Sequence, residues 1–248
     1  MNQYQTLQAL GQQAYDRAKN KTGKTDKTGR AGDPEFRVVD IGAGRGATEY
    51  SRVFADLATH YVGVDVDADI TDNQWVDERV HLSAEDFADQ HTAAVEAGEA
   101  ELFDLATAIY VWEHHAEPAQ LLRSIRAVLR PGGQALLITP NGLHPFGLAS
   151  KALSRLDLTD AVLRRLRPEE IDHYHFHVEA TRNTPGGVRK CAAEAGFAEV
   201  DIALHDDPGV FQPYLPERLR SIPVAYSKTI AATRLRALSG TLIITLTK

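Results

Sequence analysis

The sequence predicts an α/β protein: one doubly wound, seven-stranded sheet, mostly parallel, with helices on both faces. Apolar runs of strand length alternate with amphipathic stretches of helix length from residue 36 onward, which is typical of parallel strands joined by right-handed helical crossovers. A glycine-rich turn at residues 42–46 joins the first strand to a helix. The last two apolar runs lack a full helical crossover, so we expect the final strand to enter antiparallel.

The first 34 residues are predicted to form a helix and a mobile linker ahead of the sheet domain at residues 35–248. Apolar side chains three or four residues apart indicate an amphipathic helix within residues 2–18: Tyr4, Leu7, Leu10, Ala14 and Tyr15. Residues 20–34 hold almost no apolar side chain and many Gly, Lys and Thr. Such a composition is typical of an exposed linker.

The elements of the sheet domain follow in order. The predicted strands are Phe36–Ile41, Tyr61–Asp65, Val80–Ser83, Leu102–Tyr110, Gln134–Thr139, Glu199–Leu204 and Thr241–Thr247. The predicted helices are Ala47–Thr59, Ala119–Leu129, Pro185–Ala195 and Ser227–Leu238. Thr184 and Gly196 are expected to cap the third of these helices at its two ends.

Composition excludes several classes of protein. With 27 Lys and Arg against 34 Asp and Glu, the net charge is -7, which argues against broad binding of nucleic acid because that binding neutralises phosphates. The single cysteine, Cys191, leaves no partner for a disulfide within the chain. No apolar run approaches 18 residues, and the N-terminus lacks the pattern of a signal peptide. We expect a soluble, cytoplasmic protein.

The strongest local signal is VVDIGAGRGATEY at residues 38–50. Gly42, Gly44 and Gly46 allow a tight turn and close approach of a ligand, and the helix that follows offers free amide donors. Asp65 lies 19 residues beyond Gly46 and ends the second strand. A carboxylate at this place can accept hydrogen bonds from the hydroxyl groups of a ribose.

Two ligands fit this pattern. Read as Gly42-x-Gly44-x-x-Ala47, the loop also matches the dinucleotide fingerprint. Asp40, two residues before the first glycine, would repel a pyrophosphate. S-adenosylmethionine carries an ammonium and a sulfonium and no phosphate, so an acid beside the loop favours it.

Three motifs together resemble the class I S-adenosylmethionine-dependent methyltransferases, which have a Rossmann-like fold. They are DIGAGRG at 40–46, GVD at 63–65 and LRPGGQALLITPN at 129–141, and the likeness spans residues 36–204. The resemblance implies that the methionine end of the cofactor is held by Asp40, Gly42, Ala43, Gly44 and Gly46. It implies that Asp65 takes the ribose, with Val66 beside it, and that either Glu85 or Asp86 meets the adenine.

The end of the fourth strand is expected to hold the chemistry. In the resembled family, residues here flank the methionine moiety, which implies Ile109 and Tyr110. The next residues are similar to the Leu-Glu-His signature of quinone-biosynthesis O-methyltransferases, with Trp112 replacing the leucine. His114, and His115 as second choice, are the predicted bases that remove a proton from the acceptor. The alternative is that they only cap the next helix and pack on the cofactor.

No metal is predicted, although two observations leave the question open. Some relatives hold a divalent ion through Glu-x-x-Glu-His, but Tyr110 stands where the first Glu would be. His173, His175 and His177 would point to one side of an extended segment. They lie in an insertion at residues 141–180, with a predicted helix at 147–166, that is expected to form a lid over the sheet edge.

The segment at 205–240 could cover the acceptor pocket, pack against a second subunit as a homodimer, or rest on a membrane surface. The sequence does not choose among these. We expect a methyltransferase that uses S-adenosylmethionine and acts on a small molecule, at oxygen rather than nitrogen. The alternatives are a metal-dependent RNA or other 2'-O-methyltransferase, an NAD-dependent oxidoreductase and a non-catalytic cofactor-binding module.

Overall fold

A computed structural model describes residues 3–22, 35–46, 49–149, 182–212, 215–233 and 235–248. Several predictions lie outside these residues: Ala47, most of the linker before residue 35, nearly all of the helix at 147–166, and the histidines at 173, 175 and 177. For the lid-like insertion, only its first nine residues, 141–149, are described.

One seven-stranded sheet forms the centre of the fold, with strand order β3-β2-β1-β4-β5-β7-β6. The strands are β1 (Arg37–Ile41), β2 (His60–Asp65), β3 (Glu78–His81), β4 (Phe103–Ile109), β5 (Leu129–Pro140), β6 (Glu199–His205) and β7 (Thr241–Thr247). The first five pair in parallel, and β7 is antiparallel to both β5 and β6. The predicted fold class, including the antiparallel last strand, is confirmed.

Seven α-helices are found in the described residues: α1 (Gln3–Thr22), α2 (Glu49–Ala55), α3 (Ala84–Glu96), α4 (Pro118–Val128), α5 (Pro185–Ala195), α6 (Pro208–Phe211) and α7 (Ser221–Ala232). The predicted caps of α5 are present: the Thr184 side chain accepts from the Gly187 N–H, and Gly196 ends the helix with φ 80°. The sequence reading missed α3 and placed the helix that is α7 six residues too late. None of the described helices is long and apolar enough to cross a bilayer.

Apolar side chains fill both faces of the sheet. Along β1, Val38 and Val39 point to opposite faces and each is fully buried. Val39 joins the core under α3, α4 and α5, while Val38 joins Leu7 of α1 and Phe54 of α2. Helix α1 therefore belongs to the packed layers, and the carboxyl ends of β1, β2, β4 and β5 meet at one edge.

Candidate cofactor and acceptor site

The glycine loop follows β1 at this edge, and each of its three glycines has a positive φ: 73° at Gly42, 51° at Gly44 and 70° at Gly46. A Cβ on Gly42 would lie 2.3 Å from Val111 Cγ2, and one on Gly46 would lie 2.5 Å from Asn73 Oδ1. A Cβ on Gly44 would meet nothing within 4 Å. The protein itself needs the outer glycines, whereas Gly44 leaves an open cradle that suits a ligand.

Two side chains from the connection after β2 hold the loop in place. The Asn73 side-chain amide donates to the carbonyl oxygens of Ala43 (3.2 Å) and Gly44 (3.0 Å). Trp75 Nε1 donates to the Gly46 carbonyl at 3.0 Å. Sequence reasoning missed both residues, because neither belongs to a spacing pattern. Their contacts fix the loop without help from a ligand.

Asp65 ends β2 beside the loop and is 9% exposed. Its Oδ2 accepts from the Gly44 N–H, and its Oδ1 from the Asp67 N–H, both at 2.8 Å. A carboxylate has further lone pairs, so Asp65 can also accept hydrogen bonds from the hydroxyl groups of a ribose in the cradle. The neighbouring Val66 is 57% exposed, which leaves an apolar surface next to that carboxylate.

Asp40 lies behind the loop rather than on its surface, with 4% exposure. Thr107 Oγ1 donates to its Oδ1 at 2.6 Å, and the Tyr61 hydroxyl donates to its Oδ2 at 3.1 Å. Burial raises the Asp40 pKa to about 6, and the two hydroxyl groups oppose that rise. The carboxylate is therefore largely ionised at neutral pH and places a negative charge under the loop.

The two acids after β3 have different surroundings. Asp86 belongs to the cap of α3: Ser83 Oγ donates to its Oδ2 at 2.7 Å and accepts from its N–H at 3.0 Å. Glu85 is partly buried, and its negative charge acts on His115, where it opposes the lowering of the pKa by burial. Because the Asp86 carboxylate is engaged in capping, Glu85 is the better candidate for the adenine amine.

Tyr110 directly follows Ile109, the last residue of β4. Its backbone φ is 59°, which is in the left-handed region. Its N–H donates to the carbonyl of Ile138 in β5 at 2.8 Å, which holds the turn after β4 against β5. Its hydroxyl accepts from the Gln3 side-chain amide at 2.8 Å, and Gln3 is only 2% exposed. The start of α1 is thus attached to the edge where the predicted chemistry lies, a contact that sequence reasoning missed.

A short 3-10 helix, Trp112–His114, follows Val111 and carries the predicted acceptor-side residues. Glu113 is 5% exposed and its Oε2 accepts from Thr139 Oγ1 at 3.0 Å. Burial raises the Glu113 pKa to about 7. Burial lowers the pKa of the neighbouring His115, so that imidazole is neutral and able to accept a proton at pH 7. His114, between them, is half-buried.

The part of the chain that the structure describes contains no group of three His, Cys, Asp or Glu side chains arranged to hold a metal ion. Glu113 and His114 are adjacent in this part, and Tyr110 takes the place of a further acidic ligand. The absence of a metal therefore stays a prediction, since the three alternating histidines are outside the described residues.

Comparison with known proteins agrees with this geometry. The profile of a family described as "Methyltransferase domain" matches residues 7–200. A ubiquinone biosynthesis O-methyltransferase of Aromatoleum aromaticum is 35% identical over 114 residues, covering 42% of this chain and 44% of that protein. One of Actinobacillus pleuropneumoniae is 26% identical over 172 residues, covering 57% and 70%. The match thus spans less than half of the first of these relatives.

Solved structures share the fold. A SAM-dependent methyltransferase from Archaeoglobus fulgidus aligns with a TM-score of 0.53 at 15% identity, covering 100% of this chain and 95% of that one. A putative O-methyltransferase from Nostoc punctiforme aligns with a TM-score of 0.52 at 15% identity, covering 98% and 56%. Identity this low carries information on the fold alone. With the family profile covering most of the chain and the sheet order observed, the chain belongs to the class I S-adenosylmethionine-dependent methyltransferases.

Proposed function

We propose that this protein transfers the methyl group of S-adenosylmethionine to a hydroxyl oxygen of a small-molecule acceptor. The observation that carries the proposal is the open cradle at Gly44, held from below by Asn73 and bordered by Asp65. It leaves free space beside backbone amides and the Asp65 carboxylate, at the edge where the segment after β4 holds Glu113 and two histidines.

The chain's own residues would bind and orient the cofactor. Asp65 and Val66 would contact the ribose and Glu85 the adenine, while the glycine loop with Ile109 and Tyr110 would contact the methionine end. The cofactor supplies an electrophilic methyl group on a sulfonium, so the protein mainly positions the acceptor in line with it and excludes water. The negative charge of Asp40 under the loop favours a cationic ligand over a pyrophosphate.

A hydroxyl acceptor must lose its proton for the new oxygen–carbon bond to form. His114 is the first candidate to take that proton and His115 the second, since both lie in the half-buried segment after β4. A neutral imidazole is suited to this step at pH 7. Oxygen as the acceptor atom is supported by the names of the relatives, ubiquinone biosynthesis O-methyltransferases. A small molecule rather than a nucleic acid is supported by the net charge of -7.

The proposal is tested in two stages. Isothermal titration should show binding of S-adenosylhomocysteine and none of NADH; the reverse result would leave an oxidoreductase. Labelled S-adenosylmethionine, offered with catechols, phenols, amines and an RNA oligonucleotide, should then methylate a hydroxylated aromatic compound. Cofactor binding with no turnover on any acceptor would indicate a non-catalytic module. His114→Gln should lower kcat while leaving the affinity for S-adenosylhomocysteine unchanged.

A further inference from the structure

Gln3, the first residue of α1, is a polar side chain in a buried place. It is 2% exposed, and its side-chain amide makes two contacts with the Tyr110 hydroxyl: Nε2 donates to that oxygen at 2.8 Å, and the hydroxyl can donate to Oε1 at 3.1 Å. Tyr110 lies 107 residues away in sequence, just after β4. Because a buried amide is costly unless it is hydrogen-bonded, this pair is a specific link between α1 and the sheet edge that holds the site.

The link is not what holds α1 on the sheet. Leu7, Ala14 and Ala18 of this helix are all buried in the apolar cluster that covers one face of the sheet. Burial of apolar side chains, not a single hydrogen bond, supplies most of the stability of such packing. The consequence that is specific to the hydrogen-bonded pair therefore lies at its other end, at Tyr110.

Tyr110 has a backbone conformation that must be imposed on it. Its φ of 59° lies in the left-handed region, which a bulky residue rarely adopts and which persists only when surrounding contacts require it. The backbone N–H of Tyr110 donates to the Ile138 carbonyl, and its hydroxyl is bonded to Gln3. Its ring also lies beside that of Tyr50, in the first turn of α2, with ring centres 6.4 Å apart. Of the two hydrogen-bonded contacts, only the one with Gln3 fixes where the side chain lies.

The turn at Tyr110 sets the position of one wall of the cradle. The next residue, Val111, packs so closely on Gly42 that a Cβ there would lie 2.3 Å from Val111 Cγ2. Gly42 is the first glycine of the loop. A change in the backbone at Tyr110 would therefore withdraw Val111 from the loop. Contacts thus run without a break from Gln3 through Tyr110 and Val111 to the glycine loop.

We propose that Gln3 is a positioning residue for the methionine end of S-adenosylmethionine. It acts through the Tyr110 hydroxyl, which holds the left-handed turn and so keeps Val111 against the glycine loop. The proposal rests on the proposed function, which places the methionine end beside this loop and Tyr110. The contacts proposed for Asp65 and Glu85, to the ribose and the adenine, do not involve the turn. The effect of Gln3 should therefore be confined to ligands that carry the amino-acid chain.

Isothermal titration of the full chain tests this with two ligands. S-adenosylhomocysteine carries the amino-acid chain, and methylthioadenosine has a methyl group in its place. Gln3→Met keeps the approximate size of the side chain and removes its hydrogen bonds. It should weaken binding of S-adenosylhomocysteine about fivefold, the equivalent of one hydrogen bond, and leave the affinity for methylthioadenosine unchanged. The matched control is Gln8→Met, on the exposed side of α1, which should bind both ligands like the wild type.

A double variant separates positioning from stability. Gln3→Met and Tyr110→Phe each leave one polar group buried without a partner, so each should lower the midpoint of urea unfolding. Together they form an apolar pair, and the midpoint should return close to that of the wild type. The affinity for S-adenosylhomocysteine should stay about fivefold low in the double variant and in both single variants, because all three lack the same hydrogen bond.

Other results would overturn the proposal. They are unchanged affinity for S-adenosylhomocysteine in Gln3→Met, equal loss of affinity for both ligands, or recovery of that affinity in the double variant. Each would make the pair a purely structural contact. If the wild-type chain bound neither ligand, the proposed cofactor site itself would be wrong, and the role of Gln3 with it. Binding by the wild type with unchanged variants would refute the role of Gln3 alone.

Discussion

Gly44 and Gly98 allow ligand binding to be separated from backbone strain. Both have positive φ, 51° and 75°, and a Cβ on either would meet nothing within 4 Å. An alanine at such a position costs about 1–2 kcal/mol. We expect Gly44→Ala and Gly98→Ala to lose similar amounts of stability in urea unfolding. Only Gly44→Ala should lose affinity for S-adenosylhomocysteine, because its methyl group enters the cradle.

Titration calorimetry on the two variants measures the difference. Gly98 lies after α3 and away from the cradle, so its variant should bind like the wild type. Equal affinities in both variants would mean that the ligand does not approach Gly44.

The sequence alone predicted this cradle, because turns of this kind depend on glycine at fixed positions in a short segment.

Glu113 should make stability depend on pH. Burial raises its pKa from 4.5 to about 7, so between these values the folded protein holds a proton that the unfolded chain has released. The contribution of Glu113 to the unfolding free energy must then fall as pH rises from about 4.5 to 7, and it stays level above that range. Glu113→Gln keeps an oxygen to accept from Thr139 and removes the titration.

Urea unfolding at several pH values checks this. Relative to wild type, Glu113→Gln should gain on the order of 3 kcal/mol between pH 4.5 and 7. Asp40, whose pKa is also raised by burial, is present in both proteins, so its contribution cancels in the difference. Replacing the exposed Glu117 by Gln controls for the loss of one carboxylate at the surface. A flat difference for Glu113→Gln itself would refute the buried acid.

At the scale of elements, α1 is predicted to be required for stability. Leu7 is fully buried, in a core cluster with Phe36, Val53 and Phe54. Removing a buried leucine side chain costs about 2–5 kcal/mol. Leu7→Ala should therefore lower the unfolding free energy by that amount, whereas Gln13→Ala, on the exposed side of α1, should change it by less than about 0.5 kcal/mol. A loss below about 1 kcal/mol for Leu7→Ala would mean that α1 packs only loosely.

The elements differ in how far the sequence predicts them. Strand β7 was predicted to the residue because apolar residues and threonines, which favour strands, follow one another without a break from Thr241 to Thr247. Helix α3 was missed because only Ala84, Phe87 and Ala88 of its thirteen residues are buried, all in the first half, so no apolar stripe marks its length. Strand β5 begins five residues before its predicted start, because Gly132 and Gly133 in the sequence are typical of a turn.

The candidate site divides in the same way. Gly42, Gly44, Gly46 and Asp65 follow from local spacing. Asn73, Trp75 and Gln3 reach the site only through tertiary contacts spanning 29 to 107 residues of sequence. Such contacts depend on how the connections fold over the sheet edge, which no spacing rule in one sequence records. Side chains that shape the loop are thus harder to predict than the loop itself.

At the scale of the whole molecule, cofactor binding should raise resistance to heat. A ligand that binds only the folded chain stabilises it by about 2.7 kcal/mol at 100 times its Kd. For a chain of 248 residues, each kcal/mol raises Tm by roughly 2–4 °C. S-adenosylhomocysteine at that concentration should therefore raise Tm by roughly 5–10 °C. NADH at the same concentration should leave it unchanged. Gly44→Ala should show no shift with either ligand, while Gly98→Ala, starting from a similarly lowered Tm, should show the full shift. A rise in Gly44→Ala equal to that in Gly98→Ala would locate the cofactor elsewhere on the molecule.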